Sequence, residues 1–204
     1  MDVPSPWKRP AEWPLPIETD RLVLRHSTHD DVPAIFEAID ANRAQLLPWM
    51  EWAERENLTL AQTYYTIERF IREARQELPG DLTILICDRA DGSPIGGTGV
   101  HNFQPNTHQA EIGYWVLPSR RRSGVCTEAV VALTEIALRP QSRGGFGIRR
   151  LEIVCSADNP ASAGVARKAG YDHEATLKSH RWVKGIGWSD TLIYATTADT
   201  WTAP

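Results

Sequence analysis

The segment Ser119–Val130 reads SRRRSGVCTEAV and combines three arginines, a glycine and the opening turn of a helix. The apolar segment before it, which ends at Pro118, predicts a strand, and TEAVVALTEIALR has helical composition. Because the first amides of a helix have no partner within the helix, they point outward and favour anions. The sequence therefore indicates an anion site, and the alternative is a solvated charge run.

Two acidic residues are candidates for proton transfer. Glu111 lies among apolar neighbours in AEIGYWVLP, where a carboxylate is expected to have either a hydrogen-bond partner or a catalytic role. It is a general base, or a structural acid bonded to the backbone or to a cross-strand partner. Glu51 lies between two tryptophans in LLPWMEWAE, although exposed loop acids are usually just solvated.

Aromatic and histidine residues give weaker signals. Trp49 and Trp52, with Met50, either line an apolar mouth for a substrate or close the core over the first two helices. His101 and His180 are expected near a cleft, but a lone histidine seldom proves catalytic without a partner.

The cysteines and histidines do not have the spacing of a metal site. Cys87, Cys126 and Cys155 are widely spaced with no CxxC pair, so we expect buried reduced thiols and no metal. Cys126 lies at a helix start, which favours either a reactive thiol with a lowered pKa or an ordinary buried one.

Composition limits the possible partners. The chain has 204 residues and a net charge of −4, so it carries no general attraction for nucleic acids or anionic membranes. No apolar run approaches the roughly 20 residues that span a bilayer, and the N-terminal sequence lacks the apolar region of a signal peptide. We therefore expect a soluble cytoplasmic protein without a membrane partner.

The order of predicted elements indicates an α+β fold around one mostly antiparallel sheet. Residues 1–16 contain five prolines and two tryptophans and are expected to form an extended arm, with the folded domain at 17–204. After one strand and a first helix, a second helix is predicted to end at Pro79-Gly80, with its apolar stripe in the core. The members of that stripe are Leu60, Tyr64, Ile67, Ile71, Ala74 and Leu78.

Three motifs resemble those of one enzyme superfamily. Arg121, Gly124 and Cys126 match its R-x-x-G-x-G/A signature, with cysteine replacing the usual small residue. Asn159 to Ser162 with ARKAGY matches N-x-x-S…K-x-G-F/Y, and AEIGYWVLP is similar to its fourth strand in one subgroup. The chain thus resembles the GCN5-related N-acetyltransferases (GNAT), in particular those that acetylate ribosomal-protein N-termini, over residues 17–200.

The resemblance implies a fold and a cofactor site. The fold would have six to seven strands, about four helices and a V-shaped split between the fourth and fifth strands. Acetyl-CoA would lie in the split, held by backbone groups of Trp115, Val116 and Leu117, with the Val116 amide polarising the thioester. Side chains of Arg121 and Lys168 would add contacts, and the pyrophosphate would bind amides of Arg122, Ser123, Gly124, Val125, Cys126 and Thr127.

The resemblance also implies how protons move. Many members use a tyrosine on the last helix as the acid, but this chain has Ala166 and Arg167 there. Ser162 remains near the sulfur, and Asn159 would bond the cofactor arm, although both residue types also cap helices. The base would be Glu111, Glu51 or a water chain. The acceptor site would involve Trp49, Glu51 and Trp52.

The implied reaction is transfer of the acetyl group to a primary amine, in particular a protein N-terminal α-amine. The alternatives are acetylation of a small molecule such as an antibiotic, a polyamine or an amino acid, or a CoA-binding regulatory module without catalysis. Nucleic-acid binding through Arg120–Arg122 is a weaker hypothesis, because no other basic stripe is present. The resemblance also makes a homodimer an expectation.

Overall fold

Eight strands and four α-helices make up the computed structural model, which describes residues 5–204. The helices are α1 (Val32–Leu46), α2 (Leu60–Glu73), α3 (Val125–Leu138) and α4 (Pro160–Lys168). The strands are β1 (Ile17–Glu18), β2 (Leu22–Arg25), β3 (Asp81–Asp88), β4 (Pro94–Gln104), β5 (Gln109–Val116), β6 (Arg150–Ser156), β7 (Asp172–Val183) and β8 (Gly187–Thr197). Within residues 5–204, no helix is long and apolar enough to cross a membrane.

All eight strands form one sheet in the order β1-β2-β3-β4-β5-β6-β8-β7. Every neighbouring pair is antiparallel except β5 and β6, which are parallel. That parallel pairing covers only Gln109 to Glu111 against Arg150 to Glu152, and beyond it the two strands separate. The predicted α+β fold with a V-shaped split is confirmed. The short β1 brings the strand count to eight, so the split lies between the fifth and sixth strands.

The two faces of the sheet carry different helices, because side chains alternate along a strand. Ile84 and Ile86 on β3 belong to the core cluster that contains α3 and α4. Leu85 and Cys87 on the same strand belong to the cluster that contains α1 and α2. The split between β5 and β6 therefore opens on both faces of the sheet, and different helices and side chains border it on each face.

Helix α2 is shorter and less buried than its apolar stripe predicts. It ends at Glu73, and of the stripe only Ile67 and the C-cap residue Ala74 are buried. Tyr64 is 44% exposed and stacks on His29 rather than on the sheet. The expectation of a core stripe is wrong at its two ends, which are Leu60, Tyr64 and Leu78, because the helix packs on the sheet over its central turns only.

The N-terminal arm packs into the main core through its tryptophans. Trp7 is 3% exposed, stacks on Phe103 at 4.7 Å and donates from Nε1 to the Phe146 carbonyl at 2.8 Å. Trp13 packs edge-on against Phe146 and donates to the Ala74 carbonyl. Residues 1–4 of the predicted arm lie outside the described residues, and the domain boundary at residue 16 stays a prediction.

This packing predicts a large stability effect from the arm. Trp7→Ala should lower the free energy of unfolding by about 3–5 kcal/mol, since it removes a buried indole and leaves the Phe146 carbonyl without its donor. Urea unfolding measures the change. Trp182→Ala is the matched control, because Trp182 is 65% exposed and its loss should cost no more than about 0.5 kcal/mol. Equal losses in the two variants would mean that the arm does not stabilise the core.

Candidate active site

The edge of β5 that faces the split has unpaired backbone groups. The Leu117 amide donates to the Ile95 carbonyl of β4 at 2.9 Å, which fixes the alternation along the strand. Leu117 and Trp115 therefore turn their backbone groups to β4, whereas Tyr114 and Val116 turn theirs into the split. Of the three residues predicted to hold a cofactor arm by their backbone, only Val116 presents its amide to the split.

The turn before α3 forms a cluster of free amides. Gly124 precedes the helix with φ 81°, a left-handed conformation that favours glycine. The first helical bond runs from the Glu128 amide to the Gly124 carbonyl at 3.0 Å. Within residues 5–204, the six amides from residue 122 to 127 donate no hydrogen bond. Residues 121–124 are exposed, so the predicted anion site has its donors available.

The basic residues at this turn have different partners. Arg120 forms an ion pair with Asp88 at 2.8 Å. Arg121 and Arg122 form no ion pair with any residue of the described range 5–204. The triplet is therefore not one uniform stripe for a nucleic-acid backbone. Lys168, at the end of α4, lines a surface groove of about 700 Å³ together with Gly124, so the two residues border the same groove.

Arg21 completes the turn and was missed by the sequence interpretation. Its guanidinium donates to the Ser123 carbonyl at 2.9 Å and to the Glu128 carboxylate at 2.7 Å. The contact crosses about a hundred residues of sequence, and no local pattern links the two segments. Arg21 holds the turn against the start of β2 and so fixes the direction of the free amides.

Helix α4 brings Ser162 against the opposite wall of the split. The Asn159 side chain accepts from the Ser162 amide at 3.1 Å, so it caps the helix as the residue type predicts. The Tyr114 hydroxyl lies 2.9 Å from the Ser162 carbonyl and 3.1 Å from its Oγ. Burial raises the pKa of Tyr114, so its hydroxyl stays protonated and donates. The sequence interpretation did not identify Tyr114.

Glu111 lies at the point where the split begins. Its carboxylate accepts from the Asn102 side chain at 3.0 Å, and its cross-strand neighbour on β4 is His101. Burial raises the pKa of Glu111, against the lowering effect of that hydrogen bond. Both readings of the sequence find support, since the acid has a cross-strand partner and also faces an open groove.

That groove lies on the α1 and α2 face of the sheet and has a volume of about 750 Å³. Glu51 and Trp52 line it, and the Trp52 ring lies 6.1 Å from that of Trp115 on β5. Trp49 is partly buried and is not among its lining residues. Arg43 of α1 donates to three carbonyls of the following loop, at residues 53, 56 and 57, and this holds the groove wall in place.

The family to which the chain belongs follows from its sequence profile. The profile described as "Acetyltransferase (GNAT) domain" matches residues 21–172, which include the free amides, the split and Ser162. The chain is a GNAT acetyltransferase. It is an acetyl-CoA-dependent N-acetyltransferase of the ribosomal-protein acetyltransferase type, which confirms the resemblance seen in the sequence.

Named relatives cover most of the chain. The uncharacterised N-acetyltransferase YoaA of Bacillus subtilis (strain 168) is 28% identical over 183 residues, covering 88% of this chain and 94% of the relative. The ribosomal-protein-serine acetyltransferase of Escherichia coli (strain K12) is 31% identical over 105 residues, covering 52% and 55%. A solved structure of RimL, a ribosomal L7/L12 alpha-N-protein acetyltransferase in complex with coenzyme A, has a TM-score of 0.77, 26% identity and coverage of 89% and 97%.

The residues of this GNAT enzyme fit the chemical groups of acetyl-CoA. Six free amides, with Arg121 and Lys168 nearby, suit a pyrophosphate and a further phosphate. The unpaired backbone groups of Tyr114 and Val116 suit an extended amide chain, which pairs with a free strand edge. No group of three or more potential metal ligands occurs among the described residues.

The thiols of the enzyme near the split are not activated. Burial raises the pKa of Cys126 to about 12, and burial also raises the pKa of Cys155. Since the thiolate is the reactive form, both cysteines stay protonated at neutral pH. Of the two alternatives for Cys126, the structure therefore favours the thiol without a lowered pKa, and its side chain is half-buried rather than fully buried as expected.

Glu111 gives a stability prediction with a definite sign. Because its pKa is higher in the folded than in the unfolded state, folding favours the protonated form, and stability falls as pH rises above the ordinary glutamate range. Glu111→Gln should therefore raise the free energy of unfolding at pH 8 relative to the wild type, and the gain should shrink towards pH 4. Urea unfolding at both pH values tests this, and a loss of stability at pH 8 would contradict it.

Proposed function

We propose that the protein acetylates the N-terminal α-amine of another protein. The observation that carries the proposal is the charge of the groove on the α1 and α2 face. Five carboxylates line it against one arginine, namely Glu51, Glu56, Glu73, Asp81 and Glu111 against Arg69. An α-ammonium group with an extended chain behind it fits this lining by charge and by length.

The names of two relatives agree with this acceptor. The E. coli relative is named a ribosomal-protein-serine acetyltransferase, and the RimL structure is that of an alpha-N-protein acetyltransferase. The groove lies on the opposite side of the sheet from the free amides of α3, so an acceptor and a donor can approach the split together. Direct attack in a ternary complex requires this arrangement.

Several groups of the chain are proposed to hold acetyl-CoA, which supplies the thioester carbonyl that the amine attacks. The amides of residues 122–127 bind the pyrophosphate, and Arg121, Arg122 and Lys168 contact phosphate oxygens. The Val116 amide, free in the split, donates to the carbonyl oxygen as negative charge develops on it. The amide group of Asn159 bonds the cofactor arm with its nitrogen, because its oxygen already caps α4.

Proton donation to the leaving sulfur is assigned to Ser162 and Tyr114 together. In relatives with a tyrosine on the last helix that side chain is the acid, and here a tyrosine from β5 reaches the same helix. The Tyr114 hydroxyl lies 3.1 Å from Ser162 Oγ and holds it in place while keeping its own proton, so Ser162 donates its proton to the sulfur and regains one from water in the split. The carboxylate of Glu111 binds the positively charged ammonium group of the acceptor.

The acceptor class is tested with three matched substrates. Short peptides with a free N-terminus, the same peptides with a blocked N-terminus and an internal lysine, and a polyamine are each incubated with acetyl-CoA while thiol release is measured. The free N-terminus should give a kcat/KM at least about tenfold above the other two. Faster release with the lysine side chain or the polyamine would reject the proposal, and the second outcome would identify a small-molecule acetyltransferase.

A further inference from the structure

His101 has the partner that a lone histidine lacks. Its Nδ1 lies 2.8 Å from Asp81 Oδ1 on the neighbouring strand β3. The hydrogen bond from His101 is the main cause that lowers the pKa of Asp81, so the carboxylate is ionised and Nδ1 carries the proton. In the neutral ring the lone pair is therefore on Nε2, which accepts a proton.

The Nε2 side of the His101 ring packs against Gly99 and Gly113, in the groove on the α1 and α2 face of the sheet. A Cβ atom at position 99 would lie 2.8 Å from Nε2, and one at position 113 would lie 3.1 Å from it, so the two glycines leave the space that the ring occupies. Nε2 has no hydrogen-bond partner within residues 5–204, and the side chain is 28% exposed. The orientation is fixed and the acceptor nitrogen is free.

The charges around His101 suit a group that becomes positive. The charged side chains that line the groove around it are Asp81 on β3, Glu111 on β5, and Arg69 and Glu73 on α2. Arg69 is itself bonded to Glu56 at 2.7 Å, which partly neutralises it. An imidazolium here has two carboxylates close to it, one bonded to Nδ1 and one on the cross-strand residue.

We propose that His101 is the general base that deprotonates the acceptor amine, and that Asp81 is the residue that positions it. The inference rests on the proposed function, because it concerns the amine that the groove receives. One N–H bond of the acceptor ammonium breaks, its proton moves to Nε2 and its electron pair stays on nitrogen as the attacking lone pair. The imidazolium then returns the proton to solvent through the open groove.

The first experiment measures steady-state rates from pH 5.5 to 9 with a free N-terminal peptide. His101→Gln should lower kcat by about 10²-fold or more and remove the decline of kcat/KM on the acid side, because the group that accepts the proton of the amine is gone. Glu111→Gln should lower the rate but keep that decline. Loss of the decline in Glu111→Gln instead, or its retention in His101→Gln, would overturn the proposal.

Chemical rescue and tautomer state separate catalysis from structure. Imidazole added to His101→Ala should raise the rate of that variant at least about tenfold. A histidine with a purely structural role would not show this rescue. The ¹⁵N spectrum of histidine-labelled wild type should show the Nδ1-protonated neutral ring, and Asp81→Asn should lose that preference while Asp81→Glu regains part of the rate. Absence of rescue together with the opposite tautomer would reject the assignment.

Controls keep the two proposals distinguishable. His173→Gln changes an exposed histidine on β7 that bonds Thr176, and it should leave both rate and pH profile unchanged. Calorimetric binding of acetyl-CoA should be the same in His101→Gln and wild type, which shows that the variant is folded. If the wild type does not acetylate a peptide with a free N-terminus, the proposed function is rejected. If the wild type does so and His101→Gln turns over at the same rate, only the role of His101 is rejected.

Discussion

Replacing Gly124 by glutamate is expected to weaken acetyl-CoA binding by at least about 100-fold, which corresponds to about 2.7 kcal/mol. The carboxylate would stand at the entrance of the free amides and repel the pyrophosphate that they bind. The backbone at φ 81° also disfavours a side chain by about 1–2 kcal/mol. A Cβ at this position would meet only Arg21, at 3.4 Å, so the variant is expected to fold.

Calorimetric titration of acetyl-CoA against the wild type, Gly124→Glu and two control variants separates the effect of the new charge from the effect of the backbone conformation. Gly124→Ala has the conformational cost without the charge and should bind within about tenfold of wild type. Gly144→Glu places the same charge at another left-handed glycine, φ 76°, where nothing lies within 4 Å of a Cβ. That control should bind normally. Unchanged binding by Gly124→Glu would show that the turn before α3 does not hold the cofactor.

The second large effect is expected from the pair formed by Tyr114 and Ser162. Tyr114→Phe and Ser162→Ala should each lower kcat by about 10²-fold, because the serine hydroxyl donates the proton to the leaving sulfur and the tyrosine hydroxyl orients it. The two groups act as one unit, so the double variant should be no slower than the slower single variant. Steady-state kinetics at saturating acetyl-CoA measure all three.

Tyr171→Phe is the matched control for this pair. Its hydroxyl is also buried and bonded to another hydroxyl, that of Thr134 at 2.7 Å, but the pair is not at the split. The control should keep kcat within about twofold even if its stability falls. Additive losses in the double variant, or a full rate in either single variant, would mean that the two hydroxyls do not act as one unit.

Local sequence patterns predicted much of the fold. The strand that ends at Pro118 and the helix that follows the arginine turn agree with the apolar run and with the helical composition of TEAVVALTEIALR. Such patterns depend on neighbours within a few residues and so survive without any knowledge of the tertiary structure. They failed for α2, where burial of Leu60 and Tyr64 depends on how far the helix lies across the sheet.

The candidate site was predicted less completely, because it depends on register between strands. The contact of Asp81 with His101 spans 20 residues, and the contact of Tyr114 with Ser162 spans 48. Neither pair has a spacing that a sequence motif would indicate. Glycines 99 and 113 carried a signal, since two glycines in strands suggest close approach, but only the pairing of β4 with β5 shows that a ring fills the space.

The most direct test of the account is to locate the transferred acetyl group. The protein is incubated with acetyl-CoA carrying an isotopically labelled acetyl group and with a peptide that has both a free N-terminus and a lysine, and the product is sequenced by tandem mass spectrometry. The label is expected on the α-amine, with no transfer by Gly124→Glu at the same acetyl-CoA concentration. Label on the lysine side chain, or no label on the peptide at all, would contradict it.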